Sequence, residues 1–127
     1  MILDSSAVVA VLQGEPEAEQ FARLIEAATE VAISAATVVE LSLVLGASRQ
    51  DVLDEFLAIA CAEVVPVDVD QVALARRAGV VFGRGSGSAA RLNYGDCFSY
   101  ALAMVFGRPL LFKGDDFRHT DVTIAAP

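Results

Sequence analysis

Four short apolar runs, Ile2-Leu3, Val31-Ala32-Ile33, Val64-Val65-Pro66-Val67 and Leu110-Leu111-Phe112, alternate along the chain with longer segments of helical periodicity. Runs of that length fit buried strands, and the stretches between them hold one helix or two, as crossover connections do. The pattern predicts an α/β fold: a mainly parallel sheet of about five strands flanked by helices on both faces. The fifth strand is expected at Val122-Thr123-Ile124, and Pro66 assigns the third run to a sheet edge. Local signals punctuate the helices. Ser5 or Ser6 caps a helix through about Leu12, Pro16 opens a second that runs to about Ala28, and Ser34 caps a third that stops at Gly46. A fourth spans about Gln50 to Ala62, a fifth starts at Asp68 or Asp70 and ends near Gly83, and Asn93 caps the last. Gly85-Ser86-Gly87-Ser88 is the only flexible tract and is too short for an interdomain linker, so residues 1–127 are read as a single domain.

Composition narrows the class. The hydrophobic fraction is 55%, yet no apolar run reaches the ~18–20 residues of a membrane span. Met1-Ile2-Leu3-Asp4 carries an acid and no basic region, unlike a signal peptide, so the expected location is the cytoplasm. Cys61 and Cys97 lack a neighbouring histidine cluster and read as buried apolar residues rather than a disulfide or a zinc site. The formal charge of −8 argues at first against a nucleic-acid partner. The distribution is less hostile, because Arg76, Arg77, Arg84, Arg91, Arg108, Lys113 and Arg118 share a stretch whose only acids are Asp96, Asp115 and Asp116. A solvated face with scattered arginines explains the same pattern equally well.

The chemistry lies in the carboxylates. Asp4 follows the first strand and Asp115-Asp116 follow the fourth; if those strands are neighbours, the acids face each other across the crevice where strand order reverses. Glu40 stands in Thr37-Val38-Val39-Glu40-Leu41-Ser42-Leu43 with no cation three or four residues away, and Asp96 likewise has none at helical spacing. A buried carboxylate without a partner protonates or costs several kcal/mol unless a metal compensates it. Each acid also has a plainer account: a helix cap for Asp4 and Asp96, a wet helix face for Glu40, an acidic turn paired with Lys113 or Arg118 for Asp115 or Asp116. Taken together, without histidine or thiolate support, they point to a hard cation, Mg²⁺ or Mn²⁺. His119, the single histidine, reads as a surface turn residue, which removes a serine triad; neither a Walker loop nor a dinucleotide glycine signature is present.

Asp4-Ser5-Ser6 after the first strand, Glu40 in a helix, Asn93-Tyr94-Gly95-Asp96-Cys97 opening another, and Asp116-Phe117 in a late turn resemble PIN domains. More narrowly the chain resembles the VapC-type ribonuclease toxins of bacterial toxin–antitoxin pairs, over essentially its whole length. The resemblance implies a three-layer PIN-like fold and a Mg²⁺- or Mn²⁺-dependent endoribonuclease that cuts RNA, often tRNA or rRNA, leaving a 5′-phosphate and a 3′-hydroxyl. Asp4, Glu40 and Asp96 match the three family acids; Asp116 matches the fourth better than Asp115, in a turn that varies. Ser6 matches a supporting hydroxyl, while the threonine usual near the end of the fourth strand is replaced by Phe112. Arg84, Arg91 and Lys113 are candidates, from position alone, to hold flanking phosphates. The resemblance further implies a homodimer and a cognate antitoxin whose basic segment occupies the acidic pocket. Two other readings stay open: a catalytically silent PIN-like module that binds a protein partner, and another Mg²⁺-dependent phosphoryl-transfer enzyme.

Overall fold

The computed structural model describes residues 1–126. Four strands, β1 (Ile2–Leu3), β2 (Ala32–Ser34), β3 (Glu63–Val65) and β4 (Leu110–Leu111), form one parallel sheet in the order β3-β2-β1-β4. Six helices connect them: α1 (Ser5–Leu12), α2 (Ala18–Ala27), α3 (Ala35–Leu45), α4 (Gln50–Ile59), α5 (Val69–Phe82) and α6 (Tyr94–Phe106). Successive strand residues point to opposite faces, and the core divides accordingly. Ile2, Ala32 and Leu110 join Leu92, Tyr100 and Phe117 on the side of α5 and α6. Leu3, Ile33 and Leu111 join Val8, Phe21, Leu41 and Leu53 on the side of α1 to α4. The result is the three-layer arrangement expected.

Several boundaries differ, each for a local reason. The fifth strand reduces to one bridge, Leu110 to Ile124, because only the Leu110 amide and carbonyl are used. The cap of α1 is Asp4 rather than either serine: its extended backbone lets the carboxylate accept the Ser6 N–H. Pro16 precedes α2, which begins at Ala18. Helix α4 ends at Ile59, and Cys61, at φ +47°, turns the chain into β3. That turn also exposes Cys61, contrary to the buried position expected, while Cys97 is half-buried. Strand β3 lies at the sheet edge, as Pro66 suggests, although the proline itself lies just beyond it. Ser34, Asp68 and Asn93 cap α3, α5 and α6, and Gly46 ends α3 at φ +78°.

Candidate active site

Strand order reverses at β1, which has β2 on one side and β4 on the other. The Asp4 amide donates to the Leu111 carbonyl at 3.0 Å, so the acid at the carboxyl end of β1 sits against β4. Asp4 is only 2% exposed. Its Oδ2 accepts from the Ser6 amide at 3.0 Å and from the Ser6 hydroxyl at 2.6 Å, and Ser6 Oγ in turn accepts from the Lys113 amide at 3.0 Å. A serine thus fastens the acid of β1 to the loop after β4. Asp4 Oδ1 is buried with no hydrogen-bond partner among the described residues. Burying a carboxylate oxygen unpaired is costly, and a cation would satisfy it.

Asp96 belongs to a reciprocal cap at the start of α6. Its amide donates to Asn93 Oδ1 at 2.9 Å, and the Asn93 amide donates to its Oδ2 at 2.8 Å. The Asp96 carboxyl is pushed up to about 6, chiefly by burial and then by the charges of Asp4, Asp116 and Glu40, against the downward pull of the Asn93 N–H. These three acids therefore lie within electrostatic reach of Asp96. Glu40, half-buried on α3, rests over Gly95: a Cβ built on that glycine would stand 1.7 Å from Glu40 Oε2. No residue but glycine leaves that room.

The four acids share one field, but among the described residues no three His, Cys, Asp or Glu side chains form a ready-made metal cage. Asp116 opens a short 3-10 turn, Asp116–His119, and is exposed. Asp115 does not join the field on Asp96; its side chain is 83% exposed and pairs with Arg118 at 3.4 Å. Phe112 turns into the core against Phe117, with ring centroids 5.1 Å apart. Among the cations, Lys113 Nζ is engaged by Glu15 and by Glu17, the latter at 3.2 Å. Arg84 and Arg91 are exposed, Arg91 at φ +51°. Cys97 donates its Sγ–H to the Asn93 carbonyl at 3.3 Å, and burial, then the Asp96 charge, raises its thiol pKa, which disfavours a thiolate nucleophile. His119 is exposed in its turn, as expected.

Sequence reasoning missed two supports. Gly95 is one; a glycine in the first turn of an otherwise strong helix is the signal that could have found it. The other is a buried contact between Thr37 Oγ1 and Ser99 Oγ at 3.3 Å, which joins α3 to α6. Thr37 lies three residues before Glu40 and Ser99 three after Asp96, so each hydroxyl shares its acid's helix face.

The PIN domain family model matches residues 1–122. Ribonuclease VapC30 of Mycobacterium tuberculosis is 46% identical over 132 residues, spanning 100% of both chains. Among solved structures, M. tuberculosis VapC20, described as a sarcin-ricin loop cleaving toxin, superposes with a TM-score of 0.78 at 18% identity, covering 99% of this chain and 98% of that one. A member of the VapBC family of toxin-antitoxin systems, VapBC-5 from the same species, gives a TM-score of 0.59 at 25% identity over 99% of this chain and 94% of its own. With a family match over nearly all its residues and a full-length relative so similar, the chain belongs to the PIN-domain family, among the VapC ribonucleases.

Proposed function

We propose that this chain is a Mg²⁺- or Mn²⁺-dependent endoribonuclease toxin that cuts tRNA or rRNA and is neutralised by a cognate antitoxin. The observation that carries the reading is the meeting of Asp4, Glu40, Asp96 and Asp116 in one electrostatic field at the strand-reversal crevice. An all-oxygen donor set with an unpartnered, buried Asp4 Oδ1 fits a hard divalent cation. Asp4, Glu40, Asp96 and Asp116 would hold it. When bound, such a cation lowers the pKa of water and offsets charge on the scissile phosphate. The rest is positioning by the chain. Ser6 fixes the rotamer of Asp4 through two hydrogen bonds, and Asn93 fixes Asp96. Thr37 and Ser99 join α3 to α6, the helices that carry Glu40 and Asp96.

The wider assignments rest on the relatives. Toxin–antitoxin systems among the structural neighbours support a cognate antitoxin, and a chain of net charge −8 suits a basic inhibitory segment. Exposed Val39, Leu43 and Val44 on α3 support a homodimer that would cover them. No helix among the described residues is long and apolar enough to cross a membrane, and we assign the protein, as a single PIN domain, to the cytoplasm.

The test is cleavage of total and transfer RNA by purified, antitoxin-free protein with Mg²⁺, with Mn²⁺ and with chelator, beside Asp96→Asn. Metal-dependent cuts that disappear in the variant are expected. Absence of both cutting and calorimetric metal binding would leave a partner-binding module instead.

A further inference from the structure

Past Asn93, which it shares with the Asp96 cap, α5 and α6 flank an open groove of about 800 Å³, lined by Val72, Arg76, Arg84, Leu92, Tyr94 and Phe98 and by none of the four acids. Its size falls in the range of small-ligand sites, about 300–1,000 Å³. Tyr94, the first residue of α6, is 83% exposed, although a large ring ordinarily gains by burial. The ring is nonetheless held: Phe98, one turn on, packs edge-on against it with centroids 5.0 Å apart and an interplanar angle of 78°. Gly79 leaves a gap in the facing wall of α5, between Ala75 and Gly83.

Part of the positive charge left without an acid partner also lies on the groove. Arg23, Arg108, Lys113 and Arg118 pair with acids. Of the five that pair with none among the described residues, Arg49, Arg76, Arg77, Arg84 and Arg91, two line the groove, Arg76 and Arg84, in a chain where acids outnumber bases 17 to 9. An exposed aromatic face with cations beside it is the physical description of a single-strand platform: the π-face takes a base, and guanidinium groups take the phosphates. Two unpaired arginines on one groove oppose a second copy of the same groove, and favour a polyanion. Tyr94 and Asp96, two residues apart, leave α6 on different sides, and Asn93 links them by lining the groove and capping Asp96, so a strand seated in the groove would reach the acids past Asn93.

We propose that this groove is a nucleobase subsite, in which an unpaired base of the RNA stacks on Tyr94 while Arg76 and Arg84 hold the phosphates on either side. The inference rests on the nuclease reading and adds to it the place and lining of one base-binding subsite. Binding is measured in chelator, by anisotropy of a labelled single-stranded oligoribonucleotide, against an abasic strand of equal length and an RNA duplex. Tyr94→Ala is expected to weaken binding of the base-bearing strand about 5- to 150-fold, the range for loss of one stacked base, and Tyr94→Phe to bind as the wild type does. Arg84→Ala should lower the salt slope by about 0.7, one phosphate contact. Because the chain has no tryptophan and only two tyrosines, of which Tyr100 is buried, tyrosine emission should be quenched by the base-bearing strand and not by the abasic one. Equal affinity for wild type and Tyr94→Ala overturns the subsite while leaving a nuclease that still cuts RNA with Mg²⁺. A Tyr94→Ala variant of lower sedimenting mass overturns it too, in favour of a subunit contact. A wild type that neither binds nor cuts any RNA, with or without Mg²⁺, overturns the subsite together with the nuclease reading.

Discussion

Asp96 does two jobs that pull in opposite directions. As the third residue of a capped helix it gains from the Asn93 N–H and the helix dipole. As one wall of an acidic crevice it is desolvated and repelled by Asp4, Asp116 and Glu40, and the second set prevails, lifting its pKa from 3.8 to about 6. An acid whose pKa is higher folded than unfolded binds its proton more tightly in the folded state. Its contribution to stability is complete below the unfolded pKa and is lost as pH rises through about 6. Asp96→Asn cannot titrate. In chelator, the unfolding free energy of the variant relative to wild type should therefore improve by about 1–2 kcal/mol between about pH 4 and pH 7.5, the full shift being discounted for residual solvent contact. Urea unfolding at both pH values checks this, and a difference that stays constant would remove the proposed strain. Asp96 was legible in the sequence through its cap and its lack of a helical cation partner. The size of its perturbation was not, because three of the charges responsible come from β1, α3 and the turn after β4.

The decisive relation between elements is the crossing of α3 and α6. The helices meet where Gly95 has no side chain, which brings Glu40 onto the α6 backbone, and Thr37 and Ser99 pin the crossing. Gly95→Ala should separate activity from stability. The added methyl meets only the end of a flexible Glu40 side chain, so stability should stay within about 1 kcal/mol of wild type, helped by the helix preference for alanine. The displaced carboxylate should cost about 100-fold in RNA cleavage, as a misplaced catalytic group does. Urea unfolding and initial rates on the same preparation test both halves; a variant that cuts at the wild-type rate would dissociate the Glu40–Gly95 contact from function. Each helix was readable on its own: Ser34 and Gly46 bound α3, and Asn93 starts α6. That they cross at Gly95 depends on which helices the sheet brings together, which no local signal states.

Across the whole molecule, the crevice gathers like charges in the folded state that the unfolded chain keeps apart. Folding alone therefore carries a repulsion that a divalent cation would relieve, and a ligand that binds only the folded state raises its stability. Mg²⁺ at about a hundredfold excess over its dissociation constant should raise Tm by roughly 5–10 °C relative to chelator, and Asp4→Asn should lose most of that rise; calorimetric scans measure it. Equal shifts in the wild type and the variant would place the cation elsewhere. The sequence alone determined the fold class, since short apolar runs between amphipathic helices have few other ways to bury themselves, and most helix ends, since caps act over three or four residues. It also singled out Glu40 and Asp96 by their missing helical partners and Asp4 by its place after the first strand. Tertiary structure decided what depends on contacts distant in sequence. It set β4 beside β1, chose Asp116 over Asp115 for the shared field, engaged Lys113 with Glu15 and Glu17, and reduced the fifth strand to a bridge at Ile124. Cap chemistry is local and survives in a string of residues; electrostatic fields and helix crossings exist only once the chain has closed on itself.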